Sequence, residues 1–385
     1  MATFRVHILL LLLCLSASTS SAQKQLNKTG TAGPSHNNMA CKPFYPIIAF
    51  GDSTTDTGNQ LREPVSPAAH PPYGSSFFKR PTGRYSDGRL MIDFLTTALK
   101  EPFLPPHIAR RPHFASENFA VGGATALSAK ALHKLANVTS LTPESLNRQL
   151  LGFVYDTVHT NLSDALVYFG EIGGNDYNYV LAARRPPRIL ETLFVPIAHE
   201  ISHSLHTILK HGVSNIIVQG QFPMGCMSVY LKALNGTKTD KNGCIDAAMR
   251  ISDRHNHYLK EVISNVSKEY KHANIVYFDT TAAYLHILQN AAKYNFTNVK
   301  EPCYVGGLEM LLASLASTAS SSPAQPQHKP IIIKKEACKN PQTYISWDGI
   351  HLTDAMYGAM MKLFLTDSQF SSPFPNFLTK CTKTH

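Results

Sequence analysis

Phe50-Gly-Asp-Ser-Thr-Thr-Asp-Thr-Gly-Asn59 follows the apolar run Tyr45-Pro-Ile-Ile-Ala-Phe50. An apolar run that breaks into glycine, carboxylates and hydroxyls reads as a buried strand handing over to a loop. Three more runs have the same form: Ala165–Phe169, Val213–Val218 and Ile275–Phe278. They are short and mostly aliphatic or aromatic, as strands covered on both faces are. Between them lie amphipathic stretches of helical length at Arg89–Leu99, Leu190–His211, Ile245–Tyr270 and Leu352–Leu365. Strands alternating with helices predict an α/β fold with a central parallel sheet covered on both sides.

In such a sheet ligands bind beyond the carboxyl ends of the strands. That rule selects Gly51-Asp52-Ser53 after the first run and Gly170-Glu-Ile-Gly-Gly-Asn-Asp176 after the second. Trp347-Asp348-Gly349-Ile350-His351 stands just before the last helical stretch. A serine hydroxyl becomes a nucleophile when a base takes its proton, and histidine is the usual base near neutral pH. An aspartate can hold the imidazole tautomer and stabilise the imidazolium. Asp348 and His351 are three residues apart, so a turn at a helix entrance can face both inward. An attacked carbonyl also needs donors for its oxyanion. Asn175 and the glycine-rich Phe119-Ala-Val-Gly-Gly-Ala-Thr125 can supply them. Each feature alone has a plain structural reading: a turn at Ser53, a loop-closing amide at Asn175, a helix cap at Asp348. Their co-occurrence in order favours chemistry.

These blocks resemble those of the GDSL, or SGNH, hydrolases. The pattern FGDS-x-x-D-x-G-N, N-F-A-x-x-G-A, G-x-N-D and D-x-x-H is present at Phe50–Asn59, Asn118–Ala124, Gly173–Asp176 and Asp348–His351. Gly83-Arg-Tyr-Ser-Asp-Gly-Arg-Leu-Met-Ile-Asp-Phe94 and Tyr344–Thr353 resemble the plant GDSL esterase/lipase group, and within it the branch holding acetylajmalan esterase and sinapine esterase. The resemblance covers nearly all of Cys41 to Cys381. It implies a flavodoxin-like three-layer α/β/α sandwich, no metal or other cofactor, and a small-molecule ester substrate. Ser53 would be the nucleophile and Asp348 and His351 the base pair. The Ser53 and Gly123 N–H groups and the Asn175 amide would form the oxyanion hole. Three departures stand out. Residue 54 is threonine where the family usually has an apolar residue. Cys303-Tyr-Val-Gly-Gly307 replaces a Cys-Cys-Gly-rich stretch, and a cysteine pair before the G-x-N-D block is missing. By analogy Cys226 pairs with Cys244 and Cys303 with Cys338, which leaves Cys41 with Cys381.

The remaining features bound the setting. Residues 1–22 read as an export signal, with Arg5, an apolar Ile8–Leu15 run and a small-residue site at Ser20-Ser-Ala22. No later stretch is long and uncharged enough to span a membrane. Residues 23–40 read as disordered and 41–385 as one domain, with an atypical insert near 308–330. Between Glu309 and Lys329 that insert carries no charged residue. The net charge of +10 is spread along the chain without a basic stripe, which argues against nucleic acid. N-x-S/T sites at Asn27, Asn137, Asn161, Asn235, Asn265 and Asn295 fit a secretory route ending in the wall, apoplast or vacuole. A monomer is expected.

One motif points elsewhere. His199-Glu200-Ile-Ser-His203 matches the zinc-peptidase helix H-E-x-x-H. No third ligand follows it: residues 206 and 209 are His and Leu, and no carboxylate occurs from Ile201 to Thr239. The expected reading is a solvated helix face, and His255 and His257 likewise read as helix-surface residues. Serine hydrolysis is the primary reading. Acyl transfer to an alcohol or amine, and a non-catalytic wall-binding protein, are the alternatives.

Overall fold

The chain divides into two units, Met1–Ala40 and Cys41–His385. The computed structural model describes residues 44–62, 66–109, 116–305, 336–373, 375, 376 and 378. The first unit, Cys41, Cys381, Asn27 and the 308–330 insert lie outside the described residues.

The sheet has six strands in the order β2-β1-β3-β4-β5-β6. They are β1 (Ile47–Phe50), β2 (Glu117–Asn118), β3 (Leu166–Phe169), β4 (Asn215–Gln219), β5 (Asn274–Phe278) and β6 (Ser371–Ser372). All pairings are parallel except β5 with β6. β1, β3 and β4 are buried along their whole length, and each was legible as an apolar run. β2 and β6 are two-residue edges, too short to show a period in sequence.

The helices are α1 (Met91–Ala98), α2 (Ala129–Ala136), α3 (Leu146–Thr157), α4 (Gly174–Ala182), α5 (Arg188–Glu191), α6 (Phe194–Lys210), α7 (Ser228–Ala233), α8 (Asp246–Glu269), α9 (Thr280–Gln289) and α10 (Asp354–Thr366). They pack in two sets: α3 on α6 and α6 on α8, then α1 on α10 and α10 on α9. Right-handed crossovers account for the sorting. The chain moves one way along the sheet from β2 to β3, β4 and β5, which places α3, α6 and α8 on one side. It moves the opposite way from β1 to β2, which places α1 on the other. The four expected helices are α1, α6, α8 and α10, each starting one to four residues later than its apolar pattern. The late start of α6 reflects the separate short helix α5.

The order 2-1-3-4-5 reverses direction between β1 and β3. That reversal opens a crevice at their carboxyl ends. Ser53 follows β1 and Asn175 follows β3, so the order of the sheet places both at that point.

His255 corrects the sequence reading. It is 4% exposed, not a surface residue. The buried side of α8 includes Ser252, His255 and Asn256 among apolar residues from Ala248 to Val266; Ser252 and Asn256 serve loops, and His255 meets a tyrosine of α4. Ser252 Oγ accepts from Met224 N, and Asn256 bonds Gln221 N through Oδ1. Asn256 also donates from Nδ2 to Gln221 O. His255 Nδ1 pairs with Tyr177 Oη at 3.1 Å, and burial pushes its pKa down to about 4. His257, by contrast, is exposed and lies 3.4 Å from Glu261.

Candidate active site

After Phe50 the chain makes one helical turn, with the Thr55 and Asp56 amides both donating to Asp52 O. This turn presents Ser53. Asp56 then accepts four backbone N–H groups: Gly58 and Asn59 on Oδ1, Gln60 and Gly122 on Oδ2. Burial still pushes its pKa up to about 6 against those bonds. Asp56 therefore organises the loop and joins it to the glycine-rich segment after β2.

The four sequence blocks are stitched to one another. Asn118 donates to Thr55 O at 2.6 Å, and Asn59 donates to Asn118 O and Ala120 O. Asp176 accepts from the Ala126 and Leu127 amides at 2.8 and 3.1 Å, tying the start of α4 to the segment after Gly123. Burial raises the Asp176 pKa to about 7. Gly123 adopts φ +78°, and a Cβ there would lie 3.1 Å from Tyr179 Oη. Gly173, which opens α4, adopts φ +109°, and a Cβ there would lie 2.8 Å from His255 Cε1. Both positions demand glycine.

Asp348 and His351 sit in a tight loop ahead of α10, not in a helical turn. Asp348 Oδ1 accepts from the Ile350 and His351 amides, and Trp347 N donates to His351 O. His351 Nδ1 lies 2.6 Å from Asp348 Oδ2, and His351 Nε2 lies 2.7 Å from Ser53 Oγ. A carboxylate at Nδ1 holds the ring proton there and leaves Nε2 to accept from the serine. The Tyr85 ring lies against the imidazole at 4.5 Å between centroids. Burial alone would raise the Asp348 pKa. The His351 charge, the hydrogen bonds from His351 and the Tyr73 hydroxyl outweigh it and hold the carboxyl below its ordinary value.

Thr54, the departure from the family pattern, has a partner. Its N–H and its hydroxyl both donate to Asp52 Oδ1, at 2.8 and 3.0 Å. Asp52 Oδ2 accepts from Asn175 Nδ2 at 3.2 Å. The Asp52 carboxyl meets that of Glu171, which in turn accepts from Gly174 N at 2.9 Å. Burial raises both carboxyls, Glu171 furthest because the Asp52 charge adds to its burial. Asn175 Nδ2 also donates to Ala124 O at 3.0 Å, so both amide hydrogens are engaged. The Ser53 and Gly123 amides donate to no protein acceptor among the described residues.

Cys226–Cys244 and Cys303–Cys338 are bonded, with Cα–Cα separations of 4.4 and 4.9 Å. Asn137, Asn161, Asn235, Asn265 and Asn295 are all exposed. His199 and His203 are exposed on α6, as a solvated face requires. Among the described residues, one group could offer three metal donors: His107, Glu117 and Asp156. Both carboxylates approach the same His107 Nδ1, at 3.2 and 3.3 Å, and one shared ring N–H accounts for both contacts. No described helix is long and apolar enough to cross a membrane.

Sequence reasoning missed Tyr73, Tyr85 and Glu171 around this site. Glu171 stands within the quoted glycine-rich block, where a buried acid is unexpected. Tyr85 stands within the quoted Gly83–Phe94 block, and Tyr73 carries no local signal.

The mostly parallel sheet, in the order 2-1-3-4-5 with helices on both sides, is the α/β fold of the GDSL, or SGNH, hydrolase class. The family model described as GDSL-like Lipase/Acylhydrolase matches residues 47–364, and the chain belongs to that family. A GDSL esterase/lipase of Arabidopsis thaliana is 35% identical over 361 residues, covering 88% of this chain and 90% of that protein. A second from the same plant is 35% identical over 355 residues, covering 87% and 85%. A mutant acetylxylan esterase from Geobacillus stearothermophilus overlaps 72% of this chain and 94% of its own at 15% identity, with a TM-score of 0.35. The chain is a plant GDSL esterase/lipase family member and a carboxylic ester hydrolase acting on a small-molecule ester.

Proposed function

We propose that hydrolysis proceeds through an acyl-enzyme on Ser53. The observation that carries this reading is the continuous line from Ser53 Oγ through His351 to Asp348, with contacts of 2.7 and 2.6 Å. Ser53 Oγ attacks the ester carbonyl carbon while its proton passes to His351 Nε2. The tetrahedral oxyanion is held by the Ser53 and Gly123 N–H groups. Asn175 joins them by yielding its longer bond, the one to Asp52. The C–O bond breaks, the leaving alkoxide takes the proton from His351, and the acyl group stays on Ser53. Water then repeats the sequence and releases the acid.

The substrate is an acetyl, methyl or acyl ester of a specialised metabolite, an alkaloid or phenylpropanoid. What supports this is the resemblance of Gly83–Phe94 and Tyr344–Thr353 to the acetylajmalan and sinapine esterase branch. The apolar leader, two disulfides and five exposed N-x-S/T sites support routing through the secretory pathway to the apoplast or vacuole, where the chain would act as a monomer. Turnover across esters graded by acyl length and alcohol type tests the substrate class; a preference for long-chain lipid esters would overturn it.

Ser53→Ala is expected to lose turnover of nitrophenyl acetate by roughly a thousand-fold or more and to lose fluorophosphonate labelling. Labelling at the wild-type level would sink the assignment of Ser53.

A further inference from the structure

Asp348 Oδ2, the oxygen that faces His351 Nδ1, has a second donor. Tyr73 Oη donates to it at 2.8 Å. Tyr73 lies in a turn far from the Asp348 loop in sequence and is 2% exposed. Its ring stands edge-on to three others: Tyr85 at 6.0 Å, Tyr304 at 5.8 Å and Trp347 at 5.8 Å. Cys303 and Cys338 close the same cluster. The hydroxyl is therefore held at one place by packing on several sides. Burial, and then the Asp348 charge, push the phenol well above its ordinary value, so it remains a donor at every working pH.

We propose that Tyr73 is a positioning residue for the hydrolase site, fixing Asp348 Oδ2 and moderating that carboxylate's hold on the His351 ring. This rests on the reading of His351 as the base. Two donors on one carboxylate oxygen divide its charge between them. With the hydroxyl gone, the oxygen attracts a protonated imidazole more strongly, so the base is withheld up to higher pH. Asp348 also loses one of its four hydrogen bonds and with it part of its aim.

Other titratable groups surround this line. Tyr85, Tyr304 and Tyr357 face Asp348, and Asp52, paired with Glu171, faces His351. The tyrosines stay neutral through the acid range. The Asp52–Glu171 pair titrates alike in wild type and variant, so the difference between their profiles isolates Tyr73.

The test is the pH dependence of kcat/KM for nitrophenyl acetate with the full chain. Tyr73→Phe keeps the ring and its packing. Its acid limb is expected to move up by about half a pH unit, with kcat lower by roughly ten-fold and KM within about two-fold. In an Asp348→Ala background the same change is expected to have no further effect on kcat. Tyr304→Phe removes a hydroxyl from the same cluster without touching the Asp348 hydrogen bonds, and should leave the limb in place. An unmoved limb in Tyr73→Phe, or an equal loss of kcat in the Asp348→Ala background, would overturn the proposal. Retained turnover by Ser53→Ala would instead strike the acyl-enzyme reading, so the two failures are separable.

Discussion

Thr54 is where a single side chain departs from its family, and the departure has a local cause. Asp52 is buried beside Glu171, and a buried carboxylate needs donors to offset its desolvation. Thr54 supplies two of them, one from the backbone and one from its hydroxyl. Thr54→Val keeps the shape and the N–H but removes the hydroxyl. It is expected to lower stability by about 1–2 kcal/mol, read as a lower urea midpoint with an unchanged slope. An unchanged midpoint would show that Asp52 does not depend on the hydroxyl. At this scale the proposed nucleophile stood out in the sequence: Ser53 was selected because matching blocks lay downstream. The purpose of Thr54 was not, because its partner is a carboxyl whose burial depends on β1 and β3 being neighbours. His255 was misread for a related reason. A histidine in a polar stretch of helix looks solvated until α4, which covers it, is in place.

Elements decide how those residues meet. α4 is capped by Gly173 in a left-handed conformation, directly against His255 of α8. Asn175 and Asp176 follow within one turn, so the start of this helix aims one amide at Asp52 and one carboxylate at the segment after Gly123. Gly173→Ala combines backbone strain with a Cβ that meets an imidazole. It is expected to cost about 2–3 kcal/mol and to reduce kcat more than it raises KM, measured by urea unfolding and steady-state kinetics. A variant within about 0.5 kcal/mol of wild type would show that the helix start can shift without loss. The principal strands and the helices α1, α6, α8 and α10 were readable as apolar runs and amphipathic stretches, whereas α2, α3, α4 and α9 were not. The short elements β2, β6, α5 and α7 were not, since a few residues cannot display a period. The loop conformation of Asp348–His351 was also hidden, because a spacing of three suits a helix turn and an aspartate-capped loop equally.

Over the whole molecule, the buried acids set the pH dependence of stability. Burial raises Asp52, Asp56, Asp87, Glu171 and Asp176 above their ordinary values. A carboxyl raised on folding contributes stability below its unfolded pKa and loses it as pH climbs through the folded value. For Asp56 and Asp176 that loss runs from the ordinary 3.8 through about 6 and about 7. His255 acts in the opposite sense: its stability is present above 6.5 and is lost as pH falls through about 4. The acids outnumber it, and above the ordinary histidine range they act alone. The melting temperature is therefore expected to be higher at about pH 5.5 than at about pH 8, by scanning calorimetry in matched ionic strength. A higher value on the alkaline side would show that these acids are not buried as described.

The sequence by itself determined the family, the buried strands, and the placing of Ser53 and Asn175 after strands and of Asp348 and His351 ahead of the last helix. It could do so because strand burial and loop chemistry are local, and because the blocks keep their order along the chain. Only the tertiary structure decided that Tyr73 shares Asp348 with His351, that Glu171 backs Asp52, and that both hydrogens of Asn175 are already engaged. Each of those contacts joins residues from segments that are separate in the chain. Their energies depend on burial and on distances of about 3 Å, which arise only when the strands take their places.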